Sequence, residues 1–295
     1  MVRRLQENVG VGLSGAFVIS PALEWEFLLG GKYAPMAFVT LLPSLAATAH
    51  AHKLAGQGRD LTEFLPEVER FALTELLSAI TGAALADGLP AGIADRLAGY
   101  TGLRSELWKE RCGRIDMITF VRELFREQGQ VIGLYDGAIK ADDPLPLEPT
   151  FEGMDPTLAG QHRLFATGAN AHLRETLGVE DARRYHLINM DVNRKWRFAT
   201  KEGYGIALPA GATKDLAVGM AANPDTRVVI SHGYFDLVTP YFQSDYLVGM
   251  MRHDTPVARR IERAHFPGGH MFYTREASRR AFTSMAEEVV RAAIR

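Results

Sequence analysis

The chain reads as an α/β protein with a long helical insertion, and three observations predict this. Two short runs near the C-terminus, Arg227-Val-Val-Ile230 and Ile261 to Phe266, have strand character and end near glycines that allow a sharp turn at a strand's carboxyl end. A third run, Gly15-Ala-Phe-Val-Ile-Ser20, has the pattern of a short buried strand near the other end of the chain. Between them lies Leu- and Ala-rich sequence with charged residues at helical spacing.

Taken in order, Val2 to Glu7 is expected to be the tail of a helix that runs through the Gly10-Val-Gly12 turn into the strand at 15–20. A chain that opens this way is expected to lack the first part of its sheet. Residues 1–32 are assigned to an α/β core and 33–217 to a helical cap, with predicted helices at Met36 to Leu54, Leu61 to Leu85, Pro90 to Tyr100 and Arg114 to Gly129. The second half of the cap is expected to be rich in loops, since Tyr135-Asp-Gly137 and the proline-laden stretch from Ala141 to Pro149 cannot continue a helix. Residues 218–295 return to the core, with strands at 227–231 and 260–266, a helix opening at Pro240 with Thr239 as its N-cap, and a last helix from Thr274 to Arg295.

Composition narrows the function. At 295 residues and 47% hydrophobic, the chain can bury a full core. Its 33 basic and 35 acidic residues are interspersed and sum to −2, which disfavours nucleic acid and anionic membrane as partners. Glu24, Glu26 and Pro43 break the long apolar stretches before they reach the roughly 20 residues of a membrane span. Arg3 and Arg4 before Val9 to Ser20 suggest a signal peptide, but Glu7, Asn8 and the glycines argue against it. The single cysteine, Cys112, allows no internal disulfide.

His270, after Pro267-Gly-Gly269 at a strand end, is placed to be a general base, with an ordinary pKa near 6.5 suited to that task. Asp236, in Ser231-His-Gly-Tyr-Phe-Asp236, lies in a turn of the same kind upstream and can orient that base. Acid before base is the order of α/β-hydrolases. The nucleophile of that fold sits in G-x-S-x-G at a strand-to-helix elbow upstream of both. Ser14 comes closest, in Gly12-Leu-Ser-Gly15, but Ala16 follows and a strand comes next. Ser20 precedes Pro21, and Cys112 sits in the helical segment, where a packing role is expected. The nucleophile is therefore expected outside these 295 residues.

No metal site is expected. His50 and His52 fall about 200° apart on a helix with no acidic ligand nearby, and they are read as solvent-facing. His162 and His172 are equally unsupported. Phosphate-binding glycine motifs are absent, so no nucleotide cofactor is expected. The stretch Tyr185 to Trp196 reads either as the lining of a substrate cleft or as an amphipathic helix with Trp196 on the core.

Across most of its length the chain resembles the serine carboxypeptidases of peptidase family S10, in their bacterial, disulfide-poor form. The likeness rests on Gly15-Ala-Phe-Val-Ile-Ser-Pro-Ala-Leu-Glu24, Tyr135-Asp-Gly137, Asn189-Met-Asp-Val-Asn-Arg-Lys-Trp196, His232-Gly-Tyr-Phe-Asp-Leu-Val-Thr-Pro240 and Gly268-Gly-His-Met-Phe-Tyr273. The resemblance implies an α/β-hydrolase sheet with a helical cap, Asp236 as triad acid, His270 as triad base and Met271 as a wall of the leaving-residue pocket. It also implies release of C-terminal residues from peptides through an acyl-enzyme, at acidic to neutral pH, without metal or organic cofactor. The resemblance implies a periplasmic or secreted location for a full-length form that carries a signal peptide. The family's G-E-S-Y-G elbow would stand before Val2, and the oxyanion segment further upstream. The chain alone is accordingly expected to be inactive and to expose a sheet edge. Esterase, acyltransferase or hydroxynitrile lyase chemistry would use the same Asp/His pair, and a non-catalytic binding module would need neither.

Overall fold

The structure, a computed structural model, describes residues 1–28, 31–148, 150–181, 183, 185–186, 188–196, 199–202, 206–209 and 211–293. It is a mixed α/β protein. Strands β1 (Gly15–Ile19), β6 (Arg227–Gly233) and β7 (Ile261–Phe266) form a parallel sheet in the order β1-β6-β7. Two hairpin-like pairs lie elsewhere, β2 (Gln130–Ile132) with β3 (Lys140–Asp142) and β4 (Ala199–Glu202) with β5 (Ile206–Pro209).

The central position of β6 explains its composition: every residue after Arg227 is buried, so the strand carries Val228, Val229 and Ile230 in succession where a half-exposed strand would alternate. β1 differs from expectation. It is an edge strand of this sheet, only partly buried, and Ile19 at its end is exposed. Its side chains alternate: Ala16 and Val18 pack with Val228, Ile230 and Leu247, whereas Phe17 meets Phe282 edge-on at 5.9 Å. Helices α11 (Thr213–Ala222) and α12 (Tyr241–Asp254) therefore cover one face of the sheet, and α13 (Glu276–Ala293) covers the other.

The helical segment centres on α3 (Pro35–Ala51), which is buried from Val39 to Ala49. Its Ala, Ser and Thr residues let neighbouring backbones approach closely. Around it pack α4 (Leu61–Phe71), α5 (Leu77–Gly82), α6 (Ile93–Thr101) and α8 (Met117–Glu123), with α7 (Ser105–Glu110) against α6. α4 and α5 join through a π-helical turn at Ala72–Leu76, so the predicted helix over 61–85 is nearly continuous. The helix expected over 114–129 is shorter: Asp116 caps α8 by accepting from Thr119 N, and the chain leaves the helix to reach β2.

The loop-rich reading holds between β2 and residue 155 among the described residues, and it needs correction beyond that. Asp155 accepts from Thr157 N and Leu158 N, and Pro156 follows at the first position, starting α9 (Pro156–Ala171). α10 (Met190–Lys195) follows, and Trp196 after it is 60% exposed, so it does not pack on the core. α11 lies against α1 (Val2–Glu7) beside the sheet, where Arg3 pairs with Asp215. A short α2 (Trp25–Leu28) links β1 toward α3.

α12 joins the two apolar clusters. Tyr241 and Phe242 belong to the helical core, whereas Leu247, Val248 and Met251 belong to the sheet core. The expected last helix begins at Glu276, after a 3-10 turn at Phe272–Thr274, and residues 294 and 295 lie outside the described residues. No helix among the described residues is long and apolar enough to cross a membrane.

Candidate active site

Parallel pairing places the carboxyl ends of β6 and β7 side by side, with Gly233 opposite Phe266. The loops that follow carry Asp236 and His270, so the register itself brings the two residues together. Their approach depends on missing side chains. A Cβ on Gly233 would overlap the carbonyls of Gly268 and Gly269, and one on Gly269 would overlap the carbonyl of Tyr135.

His270 Nδ1 lies 2.8 Å from Asp236 Oδ2. The carboxylate is fully buried and saturated: Oδ1 accepts from Val238 N and Thr239 N, both at 2.9 Å, and Oδ2 accepts also from Thr239 Oγ1 at 2.6 Å. An ionised carboxylate only accepts, so the proton between the pair sits on Nδ1 and leaves Nε2 of the neutral ring as an acceptor. Nε2 makes no hydrogen bond among the described residues, and the side chain is 29% exposed. Burial disfavours the charged ring, yet the hydrogen bond and charge of Asp236 outweigh it and raise the pKa above the ordinary 6.5.

Thr239 is not the N-cap that its position suggests. α12 starts at Tyr241 with Pro240 as N-cap and no side-chain cap. The Thr239 hydroxyl turns instead to donate to Asp236, because leaving a buried carboxylate short of donors is costly. The same hydroxyl lies 3.1 Å from His270 Nδ1.

His232 is a supporting residue that the sequence reading did not single out, although it stands in the Asp236 block. It is fully buried on β6, with Nδ1 3.1 Å from Thr239 O and Nε2 2.8 Å from Ser244 Oγ. A carbonyl only accepts, so Nδ1 carries the proton and Nε2 accepts from Ser244. Burial drives its pKa down to about 4, which keeps it neutral and tied to the turn that holds Asp236.

The loop Leu134 to Gly137 forms a clasp from the helical segment. Tyr135 O accepts from His270 N at 2.6 Å, and the Tyr135 ring meets the imidazole edge-on at 5.6 Å. Gly137 N donates to Phe235 O, Leu237 N to Leu134 O, and Arg275 to Asp136. The loops carrying Asp236 and His270 are thus both hydrogen-bonded to one segment more than 95 positions upstream of Asp236, whose only sequence signal was the Tyr135-Asp-Gly137 block.

Ser20 supplies a further contact. It ends β1 with φ 46°, in the left-handed region that a serine seldom adopts. Its hydroxyl donates to the His270 carbonyl at 2.9 Å rather than to the ring. Met271 follows the base, half-buried, and its carbonyl closes the turn to Thr274.

The other sequence candidates fall into structural roles. His52 is half-buried, not solvent-facing: its Nε2 binds Gly137 O at 2.8 Å, it packs on Phe125, and burial lowers its pKa. His50 binds Arg59 O and stacks on Phe64. Cys112 lies in the turn after α7 with φ 47°, not within a helix. Around Tyr185 to Trp196, residue 187 lies outside the described residues, while Tyr185, Ile188, Met190, Val192 and Trp196 are all exposed. No cluster of three metal-ligating side chains occurs among the described residues.

Beside the Asp236 turn opens a cavity of about 470 Å³, lined in part by Leu237, Pro240 and Gln243. Met271 is not among its lining residues. No protein-family model, curated protein or solved structure matches this chain.

Proposed function

We propose that this chain carries the acid and base of a serine-type acyl-transfer site on an α/β-hydrolase sheet, within an enzyme that releases C-terminal residues from peptides as serine carboxypeptidases do. The observation that carries the reading is the 2.8 Å contact between Asp236 Oδ2 and His270 Nδ1 at the ends of adjacent parallel strands. The unpartnered Nε2 is the second support, because a general base needs a vacant, accessible nitrogen.

In this reading Nε2 takes the proton of a serine hydroxyl as its oxygen attacks the peptide carbonyl. The imidazolium then protonates the departing amine, and the acyl-enzyme is hydrolysed when the same nitrogen activates water. Asp236 stays ionised, fixes the tautomer and stabilises the imidazolium. The serine is assigned to an elbow outside residues 1–295, since Ser20 is hydrogen-bonded to main chain and no described hydroxyl is bonded to Nε2. The oxyanion donors are assigned to the same upstream segment, and this reading expects residues 1–295 alone to be inactive. An esterase or acyltransferase would use the same pair, and Met271 after the base weights the reading toward peptides.

The test is to extend the chain upstream through the elbow, treat it with diisopropyl fluorophosphate and map the modified residue by mass spectrometry. The reading expects rapid labelling of one upstream serine, slowed strongly by His270→Ala. Labelling of a serine within 1–295, or labelling indifferent to His270, contradicts it.

A further inference from the structure

The cavity beside the Asp236 turn has features that the acid–base pair does not use. Phe38, Leu41 and Leu237 contribute an apolar lining. Gln243 also lines it, at 4% exposure, and its side-chain amide makes no hydrogen bond among the described residues. The amide is not among the fully buried polar atoms that lack a partner, so it reaches the cavity and is free to bond an occupant.

Gln243 is the third residue of α12, a helix of 14 residues whose N-terminus has no side-chain cap. Pro240, its N-cap residue, lines the same cavity. Gln243 N is bonded to Pro240 O, so what the terminus offers is the positive end of the helix dipole, which favours an anion. Lys32, Arg111 and Arg114 line the cavity as well, and none of them is in an ion pair among the described residues. Glu110 and Asp116 are the acidic residues of the lining, and Asp116 is engaged by Thr119 N as the cap of α8.

We propose that this cavity binds a carboxylate carried on an apolar body, with the anion at the α12 N-terminus, Gln243 and the arginines, and the body against Phe38, Leu41 and Leu237. The site shares the 236–240 turn with the acid–base pair through Leu237 and Pro240, while neither Asp236 nor His270 lines it. The inference stands apart from the hydrolytic reading, because binding is measurable in a chain that catalyses nothing.

The experiment is calorimetric titration of this chain, at low ionic strength, with 3-phenylpropionate, the neutral 3-phenylpropanamide and the cationic 3-phenylpropylamine. The acid is expected to bind roughly ten-fold more tightly than the amide, as a charge-assisted contact in a half-enclosed site should. The amine is expected not to bind. Arg114→Gln should cut the acid-to-amide ratio several-fold, added salt should do the same, and Gln243→Leu should weaken both probes. Equal binding of acid and amide, or strongest binding of the amine, overturns the proposal. So does a ratio unchanged in Arg114→Gln. If either variant fails to fold, as judged by circular dichroism, the order of the three probes on the unaltered chain still decides.

Discussion

Asp236→Asn preserves shape and removes one charge, and the hydrogen-bond inventory of the site specifies the result. The amide oxygen can take the place of Oδ1 and keep Val238 N and Thr239 N. The NH2 group then faces His270 Nδ1 and Thr239 Oγ1, two groups that donate to the carboxylate in the native chain. Donor against donor is untenable, so the neutral imidazole must move its proton to Nε2 and accept at Nδ1. The free acceptor at Nε2, which the proposed reaction needs as its base, is thereby lost. All four hydrogen bonds to the carboxylate lose their charge assistance, a loss of at least about 2 kcal/mol in stability. The pKa of His270 falls, because burial, which disfavours the charged ring, is no longer opposed by Asp236. Long-range proton–nitrogen correlation spectra of the ring read the tautomer and its titration directly, and urea unfolding reads the stability. A neutral His270 that keeps its proton on Nδ1 in the variant, or a pKa that does not fall, refutes the reasoning.

Three further outcomes follow from the same contacts. His232 titrates near 4 when folded and near 6.5 when unfolded, so its neutral state contributes stability above 6.5 that is lost as pH falls toward 4, about 3 kcal/mol in all. His52, also lowered by burial, acts in the same sense, whereas Glu69, raised by burial, regains stability as it protonates. His270 adds no slope in that window: its raised pKa stabilises fully below 6.5 and loses that contribution only as pH rises through the folded value. Denaturant unfolding at pH 7 and pH 4.5 should show the loss, and His232→Phe should flatten it. Gly269→Ala drives a methyl into the Tyr135 carbonyl and the Asp136 backbone, so it should cost at least about 1–3 kcal/mol and shift the His270 ring resonances; unaltered resonances would mean that the clasp does not position the base. Thr239→Val removes one donor from the buried carboxylate and should cost about 1–2 kcal/mol in urea unfolding, well above what loss of an ordinary exposed hydroxyl would give.

Much of the sheet and the pairing of Asp236 with His270 was legible because both follow from local chemistry. Consecutive Val228, Val229 and Ile230 require a strand buried on both faces, and the glycines beyond β6 and β7 mark the turns where Asp236 and His270 sit. What was not legible depends on distant partners. Thr239 has the local look of a cap, but its hydroxyl answers to a carboxylate that folding buries beside it. His52 looks like a solvent-facing helix end until the loop carrying Gly137, 85 positions away, covers it. Trp196 invites a core position by size, yet no segment among the described residues covers it. The start of α9 was legible in Asp155-Pro156-Thr157, but the prolines upstream drew the reading toward loop. Ser20 adopts its left-handed conformation where β1 ends against the His270 carbonyl, a constraint that no single segment encodes.

The central claim is that His270, held by Asp236, is the base of a peptide-cleaving site completed by an upstream serine. Hydrolysis of an N-blocked dipeptide, followed across pH 5 to 8 with this chain and with a form extended upstream through the elbow, tests it most directly. The account predicts activity in the extended form only, abolished by His270→Ala. That activity should rise with pH through a value above 6.5, because the raised pKa keeps the base protonated under acidic conditions, where the family resemblance alone would place activity. Activity in the 295-residue chain, or activity in the extended form that survives His270→Ala, would contradict it.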